Sequence, residues 1–170
     1  MDVIGIAKRE YTYFLGLTRT IKQLGEYEPD GHRTVASDFE ASVDKHKKNV
    51  AVRFEGRLFT YAELDARANQ YAHWALAQGF TEGDSVALFM DNRPDYIAFW
   101  LGMAKVGVVT ALINNSLQGQ GLAHCINISN AKAVVISEEQ GELLDSAKGL
   151  LNGDIAFWSL GGTIDGAQSL

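Results

Sequence analysis

The sequence predicts an α/β domain built on a parallel sheet that helices cover on both faces. Four apolar runs start at residues 86, 108, 133 and 155, and helical segments separate them. The runs lack the alternation of polar and apolar residues that a half-exposed strand shows, as expected for strands buried on both faces. Such regular alternation of strand and helix is typical of α/β folds. The predicted strands are Val86–Met90, Val108–Ile113, Ala133–Ile136 and Ile155–Leu160.

The composition of the chain argues against several classes of protein. A chain of 170 residues with 46% hydrophobic and 21% charged residues is long enough for one globular domain with a core. Its net charge of −6 gives no basic field for phosphate backbones, so we expect no nucleic-acid binding. The single cysteine, Cys125, excludes an internal disulfide and a cysteine-based metal site, and it fits a reducing cytoplasm. We expect neither a spanning helix nor a signal peptide.

The first 24 residues predict an amphipathic helix. Apolar residues recur at spacings of three and four, and they are Ile4, Ala7, Tyr11, Phe14, Leu15, Ile21 and Leu24. Basic residues are predicted on the opposite face: Lys8, Arg9, Arg19 and Lys22. The helix fits an anionic membrane surface, and it equally fits packing against its own domain. The turn residues in the segment Glu26–Arg33 then predict a linker, so we divide the chain into a leader, residues 1–33, and a domain, residues 34–170.

The domain is predicted to open with a short helix, Thr34–Lys48, and a small β-hairpin. The hairpin strands, Val50–Phe54 and Leu58–Tyr61, flank a turn that contains Gly56. Thr60 with Glu63 three residues later has the spacing of a capping box, which predicts a helix from this point to Gly79. Ser137 and Gln140 repeat the same spacing after the third strand of the sheet.

The helix after the first strand of the sheet has an unusual composition. Pro94 marks its start and Gly107 its end, while Tyr96–Ala104 is apolar nearly all round. We therefore expect it to be buried between the sheet and a second subdomain or a partner.

Polar residues follow the second strand of the sheet. Asn114, Asn115 and Ser116 come directly after Ile113, at the carboxyl edge where parallel sheets place their ligands. They are candidates for a binding site. Ser116 also precedes a helix, so capping is the alternative. Asn92 and Arg93 occupy the same kind of position after the first strand, with the same alternative.

The segment Gly119–His124 resembles a dinucleotide-binding fingerprint, with Glu138 and Glu139 as its acidic partners. His124 stands in place of the third glycine, and five residues separate the strand from Gly119 where the fingerprint needs a tight turn. Nicotinamide or flavin binding therefore remains an alternative. Adjacent helical positions point about 100° apart, so we expect His124 and Cys125 to act separately and Cys125 to lie in the core. No Gly-rich loop followed by Lys-Ser or Lys-Thr occurs in the sequence.

Several motifs resemble the opening of acyl- and aryl-adenylate-forming enzymes: FTYAELDARANQ at 59–70, GDSVAL at 83–88 and MDNRPDY at 90–96. WLGMAKVGVVTALIN at 100–114, followed by LAHC at 122–125, is similar to the fatty-acid transport protein and very-long-chain acyl-CoA synthetase branch. The resemblance covers residues from about 34 to 140, so residues 34–170 are identified as an incomplete AMP-binding-type α/β domain.

This resemblance implies an enzyme that joins ATP to a long-chain fatty acid and passes the acyl group to coenzyme A, which also drives uptake of the acid. It implies ATP, Mg²⁺ and CoA for the whole family, a long-chain fatty acid as substrate, and association with the inner face of a membrane, here through residues 1–24. The triphosphate loop and the adenine- and Mg²⁺-contacting motifs would lie in the remainder of the synthetase domain. We therefore expect no catalytic residue in this chain. Candidates for the acyl or CoA path are Asn114, Asn115, Ser116 and His124. A non-enzymatic module that binds an acyl chain or a partner is the alternative.

Overall fold

In the computed structural model, the described residues are 3–24 and 33–170. They form two units that divide between Thr34 and Val35. Helix α1 (Val3–Leu24) belongs to the first unit, and all the strands belong to the second. Most of the linker predicted at residues 26–33 lies outside the described residues.

Helix α1 is amphipathic, with corrections to the predicted faces. Tyr11 and Phe14 are 65% and 60% exposed, and they lie on its apolar face. At 3.6 residues per turn, Tyr11, Leu15 and Lys22 fall on one line along the helix, so placing Lys22 on the opposite face was wrong. By the same geometry Lys8 and Arg19 flank the apolar face beside Leu15, and Arg9 lies on the opposite side as predicted. Among the described residues, no helix combines the length and apolar character needed to cross a membrane.

The second unit begins with helix α2 (Val35–His46) and the predicted hairpin of strands β1 (Val50–Phe54) and β2 (Arg57–Thr60). The hairpin turns on Glu55 and Gly56, and both residues have positive φ angles, 47° and 76°. Helix α3 (Tyr61–Ala77) follows at once. The capping box is present, because the Thr60 hydroxyl accepts from the Glu63 N–H at 3.2 Å and the Glu63 carboxylate accepts from the Thr60 N–H at 2.8 Å.

A five-stranded parallel sheet forms the centre of this unit. Its strands are β3 (Ser85–Phe89), β4 (Val109–Leu112), β5 (Ala133–Ser137), β6 (Ala156–Leu160) and β7 (Gln168–Ser169). The strand order is β4-β3-β5-β6-β7, and every neighbouring pair is parallel. The connecting helices are α4 (Pro94–Lys105), α5 (Gly119–Ile128) and α6 (Gly141–Lys148). The predicted fold class is confirmed, with the two-residue β7 as an addition.

Each buried strand sends alternate side chains to two separate cores. In β3, Val86 and Leu88 pack with residues of α3 and α4, such as Ala75 and Phe99. The intervening Ala87 and Phe89 pack with α5 and α6 instead, in a core that contains Leu122, Ile126, Leu144 and Ala147. The same alternation occurs in β5. Every residue of β3 and β5 is buried, which explains the continuous apolar runs in the sequence.

Helices α2 and α3 cover α4, so no partner is needed to bury it. The Nζ of Lys105, at the end of α4, lies 2.5 Å from Glu40 Oε1 of α2 and 2.9 Å from Asp65 Oδ1 of α3. Burial lowers the pKa of Lys105, but these two hydrogen bonds outweigh it and the net shift is upward. The expectation that a second subdomain or partner covers α4 was therefore wrong.

Helices α3 and α4 approach each other closely at Gly102. A Cβ atom there would lie 2.9 Å from the Tyr71 Cβ and still closer to the Ala68 carbonyl oxygen, which is backbone and cannot swing away. We predict that Gly102→Ala lowers the free energy of unfolding by about 1–3 kcal/mol, in spite of the better helix propensity of alanine. Urea denaturation measures this change.

Gly121→Ala is the matched control, because Gly121 is also helical and a Cβ atom there meets only the Leu117 Cδ2 at 3.7 Å. This control should be neutral or stabilising by up to about 1 kcal/mol. Equal effects of the two substitutions would show that the close approach at Gly102 does not determine the packing.

Candidate functional site

The carboxyl edge of the sheet contains a topological switch point between β3 and β5. These neighbouring strands lead into helices on opposite faces, because α4 packs in one core and α6 packs in the other. In open α/β sheets, the loops after such a strand pair separate and leave a crevice that commonly binds ligands. The loops after β3, β4 and β5 therefore define the candidate site.

Asp91 links these three loops. The side-chain amide nitrogen of Asn115, which follows β4, donates to Asp91 Oδ1 through a short hydrogen bond. The Nε2 of Gln140, which follows β5, donates to the same oxygen at 3.1 Å. The Ser137 hydroxyl in turn donates to the Gln140 side-chain oxygen, and both of these residues are buried. One carboxylate thus holds together loops that are distant in sequence.

A second link joins the loops after β3 and β5. The two terminal nitrogens of Arg93 donate to the two carboxylate oxygens of Glu139, at 3.3 and 3.2 Å. The backbone N–H of Glu139 itself and the Ser137 hydroxyl, followed by Arg93, lower the pKa of the Glu139 carboxyl. Two parallel hydrogen bonds between guanidinium and carboxylate fix their relative orientation, so this pair sets the spacing of the two loops.

Two cavities adjoin these loops. One, of about 260 Å³, is mostly polar and is lined by Met90, Asn92, Tyr96, Leu112, Ile113, Asn114 and Asn115. The other, of about 320 Å³, is nearly all apolar and is lined by Val52, Phe54, Asn92, Arg93, Tyr96 and Ile97. Asn92 and Tyr96 line both, so the two cavities meet at these residues.

The structure brings some of the predicted site residues together and leaves one elsewhere. Asn114 and Asn115 line the polar cavity. The Asn114 side-chain oxygen accepts from the Ser116 N–H at 2.9 Å, which makes a tight polar turn after β4. His124 is exposed on α5 and is not among the residues that line either cavity. Cys125 packs against the core, as expected.

Capping was the alternative for Ser116 and was indicated by the spacing at Ser137, and neither serine caps a helix with its side chain. Helix α5 starts at Gly119 with Gln118 at its N-cap, so Ser116 lies too early to cap it. A 3₁₀ turn, Glu138–Gln140, separates Ser137 from α6. The Ser137 hydroxyl therefore bonds to the Gln140 side chain and does not cap the turn.

The dinucleotide alternative does not fit this geometry. The fingerprint needs a tight turn into its helix and an acidic residue at the end of the adjacent strand. Here six residues separate β4 from α5. Glu138 and Glu139 follow β5, which is separated from β4 by β3, and Glu139 is paired with Arg93.

Comparison with known proteins agrees with the fold and the motifs. The sequence profile of the AMP-binding enzyme family matches residues 39–157. The chain belongs to the AMP-binding enzyme family. It is 35% identical to long-chain fatty acid transport protein 6 of Mus musculus over 144 residues, which are 84% of this chain and 23% of that protein. It is also 35% identical to long-chain fatty acid transport protein 1 of Bos taurus over 159 residues, 88% of this chain and 24% of that protein.

Solved structures support the same fold. An anthranilate CoA ligase in complex with anthranoyl-AMP superposes with a TM-score of 0.74 at 20% identity, covering 81% of this chain and 27% of that one. A benzoate CoA ligase from Burkholderia xenovorans gives 0.67 at 20% identity, covering 74% and 25%. The resemblance that the motifs indicated is confirmed at the level of the family. The AMP-binding chain described here spans about a quarter of the length of the curated relatives it matches.

The side chains at this edge can bind a ligand and hold it in position. Among residues 3–24 and 33–170, no group of three or more His, Cys, Asp and Glu side chains could hold a metal ion. Asp91, Glu138 and Glu139 make the edge acidic, and Arg93 is paired with Glu139. Asn92, Asn114 and Asn115 offer uncharged donors and acceptors.

Sequence reasoning missed Asp91 and the linking role of Gln140. Asp91 follows β3 directly, as Asn114 follows β4, and that shared position was the available signal. The order of the strands decides which post-strand residues meet, and no local pattern encodes that order.

We predict that Asp91→Ala releases the loops after β4 and β5. Losing the two hydrogen bonds at an exposed carboxylate should cost about 1 kcal/mol of unfolding free energy. The side-chain amide NMR signals of Asn115 and Gln140 should shift and exchange faster with solvent.

Asp154→Ala is the control, because Asp154 is an exposed aspartate that precedes β6 at the other edge of the sheet. It should change stability by less than about 0.5 kcal/mol. Unchanged Asn115 and Gln140 signals in Asp91→Ala would contradict the linking role.

Proposed function

We propose that this chain forms the first part of a fatty-acid–CoA ligase domain, which activates a long-chain fatty acid with ATP and transfers it to CoA. The observation that carries this proposal is the 35% identity, over most of the chain, to proteins named long-chain fatty acid transport proteins. Two CoA ligases with the same fold support it. By trapping the acid as a thioester, such a ligase would also support fatty-acid uptake.

In this proposal the chain provides the scaffold and part of the substrate path, and it does not provide the nucleotide site. The sequence has no Gly-rich phosphate loop, and the acidic carboxyl edge disfavours a triphosphate. ATP, Mg²⁺ and the nucleotide portion of CoA would therefore bind residues that these 170 do not include. The chain alone should neither form acyl-adenylate nor hydrolyse ATP.

Within the scaffold, the candidates for the acyl or CoA path differ in their support. Asn114 and Asn115 line the polar cavity, and Asn114 holds Ser116 in the turn beside it. These three stay candidates because they lie at the switch-point edge. His124 stays a prediction from the resemblance, without support from the cavities.

A chimera tests the ligase proposal. We predict that residues 35–170, placed in the mouse fatty acid transport protein in exchange for its matched segment, support ATP-dependent formation of palmitoyl-CoA from palmitate. The isolated 170-residue chain should release no pyrophosphate from ATP, Mg²⁺ and palmitate above the buffer rate. Thioester formation is measured by chromatography, and folding is checked by circular dichroism.

The relative lacking its matched segment is the inactive control. If the chimera does not fold, the segment is supplied to this deletion as a separate chain, and activity should return. A folded chimera without activity, or pyrophosphate release by the isolated chain, would contradict the proposal.

The alternative function is a non-enzymatic module on the same scaffold. The nearly apolar cavity between β1 and α4 favours an acyl-binding module over one that binds a protein through α4. Helices α2 and α3 already cover most of α4, with Phe99 and Met103 fully buried. An inactive chimera together with acyl binding by the isolated chain would favour this alternative.

We also propose that α1 lies on the surface of an anionic membrane, which would place the protein in the cytoplasm as a peripheral protein at the inner face. The support is the exposed apolar face, with Tyr11, Phe14 and Ile21 each at least 59% exposed, and the basic residues Lys8 and Arg19 beside it. Such a helix inserts its apolar face at the headgroup boundary while its basic residues attract anionic lipids.

Vesicle co-sedimentation tests this proposal. Phe14→Glu should reduce binding of the full chain to phosphatidylserine-containing vesicles at least about tenfold, because it removes a phenylalanine that would insert into the membrane and adds a charge. Thr12→Glu adds the same charge on the polar face and should have a much smaller effect. Equal losses for the two substitutions, or no loss for Phe14→Glu, would refute insertion of the apolar face.

A further inference from the structure

Two neighbouring cavities at the carboxyl edge differ in their chemistry, and Asn92 and Tyr96 line both of them. The two cavities together are called the cleft here, with an apolar half and a polar half. A ligand that fills both halves must therefore carry an apolar part joined to a polar part.

The apolar half lies between the hairpin and α4. Val52 and Phe54 of β1 face it from one side and Ile97 of α4 from the other. These three side chains offer no hydrogen bond, and Arg93, which also lines this half, is paired with Glu139, so a ligand gains free energy here mainly by removing apolar surface from water. An alkyl chain meets this requirement, and a charged or strongly hydrated group does not.

The polar half is lined by amides and carries no charged side chain. Asn92, Asn114 and Asn115 each present both a donor and an acceptor. The hydroxyl of Tyr96 adds a further uncharged group, since an ordinary tyrosine is already neutral at pH 7 and burial raises the pKa of Tyr96 further. Such walls suit a carbonyl or an amide, which needs hydrogen bonds without a counter-ion.

The charges around the cleft distinguish a neutral ligand from an anion. Asp91 accepts a hydrogen bond from Asn115, which lines the polar half, and the cation Arg93, which lines the apolar half, is paired with Glu139 through two hydrogen bonds. A ligand carboxylate in the polar half would therefore approach the Asp91 carboxylate, and no cation is among the residues that line that half, so its binding is unfavourable.

We propose that this cleft binds the acyl group as an uncharged carbonyl derivative, a thioester or an amide, and discriminates against the free fatty acid. The alkyl chain occupies the half between β1 and α4, and the carbonyl portion lies against the three asparagines. The identity of the apolar part as an acyl chain rests on the proposed function, whereas the preference for a neutral head group rests on the cleft itself.

The test compares two probes with the same alkyl chain and the full 170-residue protein. S-octanoyl-N-acetylcysteamine is a neutral thioester with an amide, and octanoate is the corresponding anion. By isothermal titration at pH 7, the thioester should bind at least about tenfold more tightly than octanoate. Its addition should also shift the side-chain amide NMR signals of Asn92, Asn114 and Asn115.

Variants locate the binding site. Asn92→Leu in the polar half and Phe54→Ala in the apolar half should each weaken thioester binding at least about fivefold. Leu76→Ala is the control, because Leu76 is an exposed leucine near the far end of α3 and should leave binding unchanged. Thermal melts show that each variant is folded.

Octanoate binding as tightly as the thioester, or no binding of the thioester, would overturn the inference. Binding that survives both cleft substitutions in folded variants would overturn it as well. An active chimera without thioester binding would reject this cleft and retain the ligase assignment. Thioester binding with a folded but inactive chimera would support the cleft and reject the ligase assignment.

Discussion

The burial of strand β3 on both faces is the constraint on which the rest of this structure depends. Its five residues are all buried, and the four from Val86 to Phe89 send side chains alternately into two different cores. A strand of this kind is stable only when each face of the sheet has its own layer of helices, because either face alone would expose Leu88 or Phe89 to water. Helices α3 and α4 form one layer, and α5 and α6 form the other.

The two helix layers also determine where ligands can bind. Strand β4 lies on one side of β3 and β5 on the other, so the chain passes over β3 on its way from β4 to β5. The loops after β3 and β5 consequently turn toward opposite faces, and their polar groups lose the strand partners that the backbone has further back. Beyond the ends of the strands, Asp91, Gln140 and the Arg93–Glu139 pair connect these loops through hydrogen bonds between side chains. These bonds hold the loops in place, and the two cavities remain open beside them.

Local sequence patterns predicted the elements better than the contacts between them. Continuous apolar runs located the four main strands, and Thr60 with Glu63 located the start of α3, because both signals depend on neighbours within a few residues. The same spacing indicated a capping box at Ser137, but there the buried hydroxyl donates to the Gln140 side chain.

Contacts at the candidate site depend on strand order. Asn114 and Asn115 were identified because they follow an apolar strand, but their meeting with Asp91 depends on β3 lying between β4 and β5. Helix α4 shows a related limit: its apolar surface correctly predicted burial, yet composition could not distinguish coverage by α2 and α3 from coverage by a partner. The uncharged amides that line the polar half and the ion pair of Arg93 and Glu139 are the reasons for our proposal that this edge binds an acyl group and that other residues bind the phosphates. Separating an apolar, neutral path from a strongly anionic one keeps each set of groups in a medium that stabilises it.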